Sequence, residues 1–290
     1  MSLKFGKVRR FVRAGGFRLH FVEAGEGPPL LLIPPAFATW RYWRPLGDDL
    51  AERFHVLAVD LLGAGDSEKP SRNFKYTPQE QADILFSLLK ALEIPQAHVI
   101  GASYGGSVAF ALAGRHPERI GKAVVIEGFL SVKLGLPGWS RAEALALRTP
   151  LLGHLLIRLL KSEAWGSRAA RSSAGVWWEQ MGEDERERWV SYIREELRYA
   201  DRIGWSGIRL SPFVADEPGL QRDALRIRSP LLYIFGTSSA YFESLQPTLD
   251  FIRVRMPQVY LVKIPGGAHN LVWQNPERIR ELILDFLTAR

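Results

Sequence analysis

Residues Val99–Phe110 read VIGASYGGSVAF: a short apolar run, a serine between two glycines, and a second run of helical composition. The segment Gly101-Ala102-Ser103-Tyr104-Gly105 fits G-x-S-x-G, which carries chemistry only where a strand ends in it and a helix starts from it. Both flanks satisfy that condition. A serine hydroxyl is a weak nucleophile at neutral pH and needs exposure, a neighbouring base and donors for a developing oxyanion. A sharp strand-to-helix turn supplies the exposure. Gly101 and Gly105 leave room for the turn, Gly106, Ser107 and Ala109 let the next helix pack closely, and the Tyr104 N–H at the helix start points where an oxyanion would form. The competing reading is a structural glycine turn with an idle serine, and the surroundings of the turn weigh against it.

Upstream, FVRAGG, FRLHFVEAG and PPLLLIPP are apolar runs separated by glycine-rich turns, which predict a hairpin feeding a buried third strand. The rhythm then alternates: RYWRPLGDDLAERF as helix, HVLAVD as strand, TPQEQADILFSLLKALEI as helix, AHVIGAS as strand opening just after His98, YGGSVAFALAGRHPERI as helix and KAVVIEG as strand. Such alternation builds parallel βαβ units with helices on both faces of a sheet. Thr77, Pro78 and Glu80 form a helix-start signature with a capping box, and Asn275, Pro276 and Glu277 repeat that logic before the last helix. From about Phe129 to Arg228 only amphipathic helical pieces occur, and strand–helix alternation resumes at Pro230 with PLLYIFG and QVYLVKIPG. The economical organisation is a core of residues 1–128 and 229–290 with an all-helical insertion over 129–228.

The base for Ser103 should be a histidine on a loop after a late strand, and His269 in IPGGAHNLVWQNPE has that position. His20, His55, His98, His116 and His154 lie in or beside strands and helices and read as structural. The chain has 290 residues, 47% of them hydrophobic, enough for a large core, and no cysteine, which excludes disulfides, thiolate metal sites and cysteine nucleophiles. The formal charge of +7 comes from Lys and Arg interleaved with Asp and Glu, so a solvated surface rather than nucleic-acid binding is expected. The start, MSLKFGKVRRFVRAGG, lacks the apolar core of a signal peptide or membrane span, so a cytoplasmic protein is expected. No His or Asp cluster has ligand spacing, and GAGDS and GASYGGS lack the context of nucleotide loops, so neither metal nor cofactor is expected.

The turn at Ser103, VDLLGAGDSEKP from Val59 to Pro70, the RHPERI segment and the His269 loop together resemble the α/β-hydrolase fold superfamily, in its serine-nucleophile branch with a helical cap, over nearly the whole chain. The resemblance implies an α/β fold with a mostly parallel sheet flanked by helices. It is less specific for the reaction, since esterases, lactonases, C–C bond hydrolases, peptidases, perhydrolases and non-catalytic receptors share these features. A serine at the elbow argues against haloalkane dehalogenases and epoxide hydrolases, which carry aspartate there.

Two departures from the family pattern stand out. Pro34 and Pro35 replace the usual His-Gly after the third strand. Proline has no N–H to donate, but the family's donor is the next residue, here Ala36, so the oxyanion hole is expected from the Ala36 and Tyr104 N–H groups, with the Pro-Pro unit stiffening the loop and open to a cis bond. The second departure is the acid that orients the histidine. Where the family commonly has G-x-x-D, this chain has Gly236-Thr237-Ser238-Ser239. Some members carry the acid one strand earlier, and Glu127 ends KAVVIEG at that place; after four apolar residues it needs a cationic or N–H partner. Glu127 is the expected acid, with Glu243, or no acid at all, as the alternatives. Asp60 and Asp66 read as strand-end and turn residues.

The insertion holds Trp139, Trp165, Trp177, Trp178, Trp189 and Trp205, more than the packing of a small layer needs, so some are expected to line a substrate pocket, with Phe37, Trp40 and Trp43 adding to it. The expectation is a cofactor-free serine hydrolase acting on a small, mostly apolar carboxylic ester. The alternatives are a C–C bond or lactone hydrolase with the same Ser–His pair, and a non-catalytic ligand-binding member of the fold. The partner is a small hydrophobic molecule, with no nucleic acid and no membrane span, and a homodimer is left open.

Overall fold

The computed structural model describes residues 4–130, 139–214 and 217–289. The N-terminal apolar runs form β1 (Val8–Ala14) and β2 (Phe17–Ala24), an antiparallel hairpin that turns at Gly15 and Gly16, both at positive φ. Next come β3 (Pro29–Ile33), a short 3-10 helix (Trp40–Trp43), α1 (Arg44–Ala51), β4 (His55–Val59), α2 (Pro78–Ala91), β5 (Ala97–Ala102), α3 (Tyr104–Arg115) and β6 (Ile120–Ile126). Between β6 and the next strand lie α4 (Trp139–Arg148), α5 (Pro150–Leu160), α6 (Glu163–Ala174), α7 (Glu183–Arg198), α8 (Arg202–Val214) and α9 (Glu217–Ala224). The chain closes with β7 (Leu231–Gly236), α10 (Phe242–Arg255), β8 (Tyr260–Ile264), α11 (Leu271–Gln274) and α12 (Pro276–Thr288).

The eight strands form one sheet in the order β1-β2-β4-β3-β5-β6-β7-β8, antiparallel in its first two pairings and parallel from β4 onward. β3 is buried as expected, but β4, not β3, pairs with the hairpin. The central strands read as unbroken apolar runs because both faces are covered. Leu31, Ile33, Val99 and Val125 pack towards α2, α3 and α10, while Leu30, Leu32, Ile100 and Val124 pack towards α1 and α12.

Local signals hold with four adjustments. Thr77 accepts the Glu80 N–H and caps α2, but the Glu80 carboxylate accepts from Lys75 N–H rather than closing a box on Thr77. Asn275 makes no side-chain cap on α12, and its backbone N–H closes α11 by donating to the Leu271 carbonyl. His98 lies inside β5, opposite Leu30, and not before it. Pro150 splits RAEALALRTPLLGHLLIRLLK into α4 and α5, since proline cannot continue the donor ladder.

Among the described residues no strand forms between β6 and β7; residues 131–138 and 215–216 of the inserted segment lie outside them. α6 and α7 pack on the core through an aromatic ladder in which Trp189 meets Trp177, Tyr192 and Trp273, and Tyr192 stacks on Trp273 at 4.3 Å. α8 approaches the core at Gly204, where an added Cβ would stand 1.9 Å from the Gly63 carbonyl oxygen. α9 instead contributes Leu220 and Ala224 to the core layer beside α3. No described helix is long and apolar enough to cross a membrane. A Cβ on Gly114 would fall 1.8 Å from the Asp223 carbonyl oxygen, so α3 and α9 touch backbone to backbone. Gly114→Ala is therefore expected to cost about 1–3 kcal/mol of unfolding free energy, read by urea denaturation; an unchanged midpoint would refute that contact.

Candidate active site

The parallel strands end at one edge, where ligands of open α/β sheets bind. Ser103 stands between β5 and α3, at the N-cap of α3, with φ 53° and ψ −120°. Its backbone is held by the Ser103 N–H bond to the Ile126 carbonyl, 2.8 Å, and by Gly106 and Ser107 N–H groups donating to its own carbonyl. The flanking glycines are steric requirements: a Cβ on Gly101 would lie 2.2 Å from the Gly105 carbonyl oxygen, and one on Gly105 would lie 2.4 Å from the Ile33 and Pro34 carbonyls. That second contact brings the loop after β3 against the elbow. The turn therefore presents the hydroxyl at the sheet edge under backbone strain of the kind that persists only where the surroundings enforce it.

The structure joins Ser103, His269 and Glu127 in one hydrogen-bonded chain. His269 Nε2 stands 3.0 Å from Ser103 Oγ, and His269 Nδ1 bonds Glu127 Oε2. Glu127, at the end of β6 with φ 50°, is fully buried. Its Oε1 accepts the Gly236 N–H at 2.8 Å and its Oε2 accepts the Ser239 hydroxyl at 2.8 Å. A buried carboxylate needs such donors. Ser239, where the family pattern has its acid, thus serves as a donor to the acid on the neighbouring strand. Glu243 is exposed in the first turn of α10. In the tautomer that donates Nδ1–H to Glu127, the Nε2 lone pair faces the Ser103 hydroxyl.

The Ala36 and Tyr104 N–H groups have no protein acceptor among the described residues, and both residues line the same cavity as Ser103 and His269. Among the described residues there is no cis peptide bond, so Pro34-Pro35 is trans and the loop takes its bend at Phe37 instead, at φ 65°. The cavity encloses about 1000 Å³. Phe37, Leu147, Leu156, Trp205 and Ile208 give it apolar walls, with Glu143 and Arg209, 3.5 Å apart, as a polar pair. Of the cap tryptophans, Trp165, Trp189 and Trp205 line it. Trp177 is buried behind Trp189, Trp178 packs on the core, and the Trp139 side chain lies outside the described residues. Trp40 and Trp43 are core residues and not pocket residues, because the 3-10 helix turns them under the sheet while Tyr42 faces the cavity.

Two residues at the cavity have no clear signature in sequence. Tyr241 lies against the His269 ring at 4.5 Å and is another wall residue. Glu196 on α7 is buried at the cavity and accepts from Thr39 N–H at 3.0 Å and Thr39 Oγ1–H at 2.9 Å, which ties the cap to the loop that carries Ala36. Burial pushes its carboxyl up to about 8. Adjacent Glu195 behaves oppositely: partial burial works to raise it, but hydrogen bonds from Arg44 and Arg41 outweigh that and hold it below the usual range. In IREELR both glutamates look like one solvated helix face. Only the charge spacing to Arg41 and Arg44 separates them, and that arises in the fold. His20, Asp60 and Asp66 also converge, to within 4.8 Å, although no ligand spacing is visible in sequence. The Asp60 oxygens are already engaged by Trp40 N–H, Asp66 N–H and His20 Nδ1, so this is a turn lock.

A family model described as alpha/beta hydrolase fold matches residues 28–276. The chain is 38% identical over 123 residues to a 2-hydroxymuconate semialdehyde hydrolase of Pseudomonas sp. (strain CF600), an overlap of 41% of this chain and 43% of that protein. It is 38% identical over 112 residues to a soluble epoxide hydrolase of Corynebacterium sp. (strain C12), covering 39% of this chain and 38% of that protein. The chain thus spans less than half the length of these curated relatives. Among solved structures it resembles the enol-lactonase from Burkholderia xenovorans LB400, with a TM-score of 0.75 at 23% identity over 97% of this chain and 100% of that one, a likeness of fold.

Glu196 titrates near 8 when folded against an ordinary 4.5, so the folded chain holds this proton more tightly than the unfolded chain does. The stability this confers is complete below pH 4.5 and is lost as pH rises through 8. The melting temperature of the wild type should fall relative to Glu196→Gln across that window. A pH-independent difference between the two would sink the assignment.

Proposed function

The chain belongs to the α/β-hydrolase fold family, and from that premise we propose that it is a cofactor-free serine hydrolase that cleaves a small, mostly apolar carboxylic ester through an acyl-enzyme. The observation that carries the reading is the unbroken Ser103–His269–Glu127 chain on the wall of a mostly apolar cavity. Ser103 Oγ attacks the ester carbonyl carbon as His269 Nε2 takes its proton. The tetrahedral oxyanion is held by the Ala36 and Tyr104 N–H groups, and the imidazolium is stabilised by Glu127. Collapse breaks the bond to the alkoxy group, His269 returns the proton to the departing alcohol, and water, deprotonated by the same nitrogen, hydrolyses the acyl-serine. The walls set substrate class: an alkyl or aryl acyl group gains burial against Phe37, Leu147 and Trp205.

A second reading keeps these residues and applies them to a lactone or a C–C bond. The Glu143–Arg209 pair favours it, because a plain alkyl ester would desolvate that pair without engaging it. The likeness to a semialdehyde hydrolase points the same way, and the serine at the elbow sets epoxide opening aside. A purely ligand-binding role leaves the fully satisfied Glu127 and its histidine without a purpose.

A fluorophosphonate should label Ser103, identified by mass spectrometry, and Ser103→Ala should lower kcat on short esters by about 10⁴-fold or more. Glu127→Gln should cost about 10³- to 10⁴-fold, whereas Glu243→Gln should leave the rate unchanged. Native protein that resists the label while folded would mean the serine is not activated.

A further inference from the structure

The cap carries an apolar face for which the catalytic reading has no use. On α5, Leu151 is 90% exposed, Leu155 55% and Leu159 52%, with Leu152 beside them. Leu151, Leu155 and Leu159 recur at every fourth position and form one stripe on the helix surface. Among the described residues this arc has no covering element, and among the described helical positions of α5 only Gly153 is buried. Along the adjacent edge His154 and Arg158 of the helix and Lys161 at its C-cap follow at i, i+4 and i+7, all exposed. From Ala144 to Ser162 there is no Asp or Glu.

We propose that α5 is an interfacial docking helix that lays its leucine stripe into an anionic lipid surface, with Arg158 and Lys161 at the headgroups. The arrangement has the amphipathic, basic-edged form of such helices, and long basic side chains can bury their stems while keeping the charge in the headgroup layer. At 11 residues α5 is far too short to span a bilayer, so it lies in the surface. A second copy of the chain is a poorer occupant, because a two-fold pairing of leucine stripes brings the two basic edges together with no acid on α5 to meet them. The stripe is also continuous with the cavity: Leu159, Trp165 and Val176 are exposed and line it, so the docked face surrounds the cavity mouth. A membrane-dissolved apolar substrate would then enter without crossing water. That consequence rests on the ester-hydrolase reading, whereas the docking itself does not.

The test is co-sedimentation of the full chain with phosphatidylcholine vesicles prepared with and without phosphatidylserine, at low and high salt. Pelleting should require phosphatidylserine and weaken with salt. Arg158→Glu with Lys161→Glu should reduce binding by about five-fold or more per residue, and Leu151→Asp with Leu155→Asp should abolish it. Both double variants should keep the wild-type melting curve and the wild-type rate on a short water-soluble ester. Absence of pelleting, equal pelleting with both lipid compositions, or pelleting unchanged in the variants overturns the proposal. So does a sedimentation-equilibrium dimer that the leucine variant converts to monomer while vesicles bind neither form, which would make the face a self-association surface. Vesicle binding by a chain that hydrolyses no ester would separate failure of the catalytic reading from success of this one.

Discussion

The edge of the sheet where the parallel strands end is organised around one buried carboxyl group, that of Glu127. A carboxylate at the end of an apolar strand costs far more to bury than its side chain gains, unless each oxygen is met by donors. Glu127 meets that condition with a backbone N–H from Gly236, a hydroxyl from Ser239 and the Nδ1 of His269. These come from the end of β7 and from the loops after β7 and β8, so one side chain fixes the relative positions of three connections. Its own backbone sits at positive φ, as do those of Ser103 and Phe37. These three strained residues follow β6, β5 and β3 at one edge of the sheet, where strain is retained because the packing over-determines it.

The loop after β3 is the second element held from two directions. From below, Gly105 allows the Ile33 and Pro34 carbonyls to sit against the start of α3. From above, Glu196 grips Thr39 through both its N–H and its hydroxyl, while Arg41, buried beside it, reaches Glu195 and Tyr199 on and just after α7. The peptide that presents Ala36 is therefore set jointly by core and cap. A trans Pro34-Pro35 stiffens the loop entry, but the bend comes at Phe37, whose ring packs on Trp205 at 4.7 Å. Contacts further along the loop and from the inserted helices thus hold the segment that follows Pro34-Pro35.

The tryptophans of the insertion divide between two tasks. Trp177 and Trp189 build the ladder that seats α6 and α7 on α11, and Trp189 also reaches the cavity wall. Trp165 and Trp205 belong to the wall itself. An aromatic count cannot separate these tasks, since large rings serve equally well as packing and as lining. The outward face of α5 is different in kind, because Leu151, Leu152, Leu155 and Leu159 belong to none of the buried clusters of the described residues.

The chain order alone determined the fold class, the helical stretch between β6 and β7, the glycine-flanked turn at Ser103 and the loop that carries His269. Each of these is written in local chemistry: unbroken apolar runs for strands buried on both faces, glycines where a Cβ would strike backbone, and a serine and a histidine in stretches that suit a turn and a loop. It also marked Glu127 as a carboxyl that would need a partner, after four apolar residues, while leaving Glu243 or no acid open as the partner of His269. What only the tertiary structure decided are the long-range pairings: β4 beside the hairpin, Ser239 as a donor to Glu127, Glu196 on Thr39, and Tyr241 against His269. No local pattern encodes these, because each joins residues from separate segments through distances that exist only once the sheet has brought its strand ends together. The same reason makes Glu195 and Glu196 indistinguishable in sequence and opposite in charge behaviour in the fold. Their neighbours in space, and not along the chain, set whether a carboxylate keeps its proton.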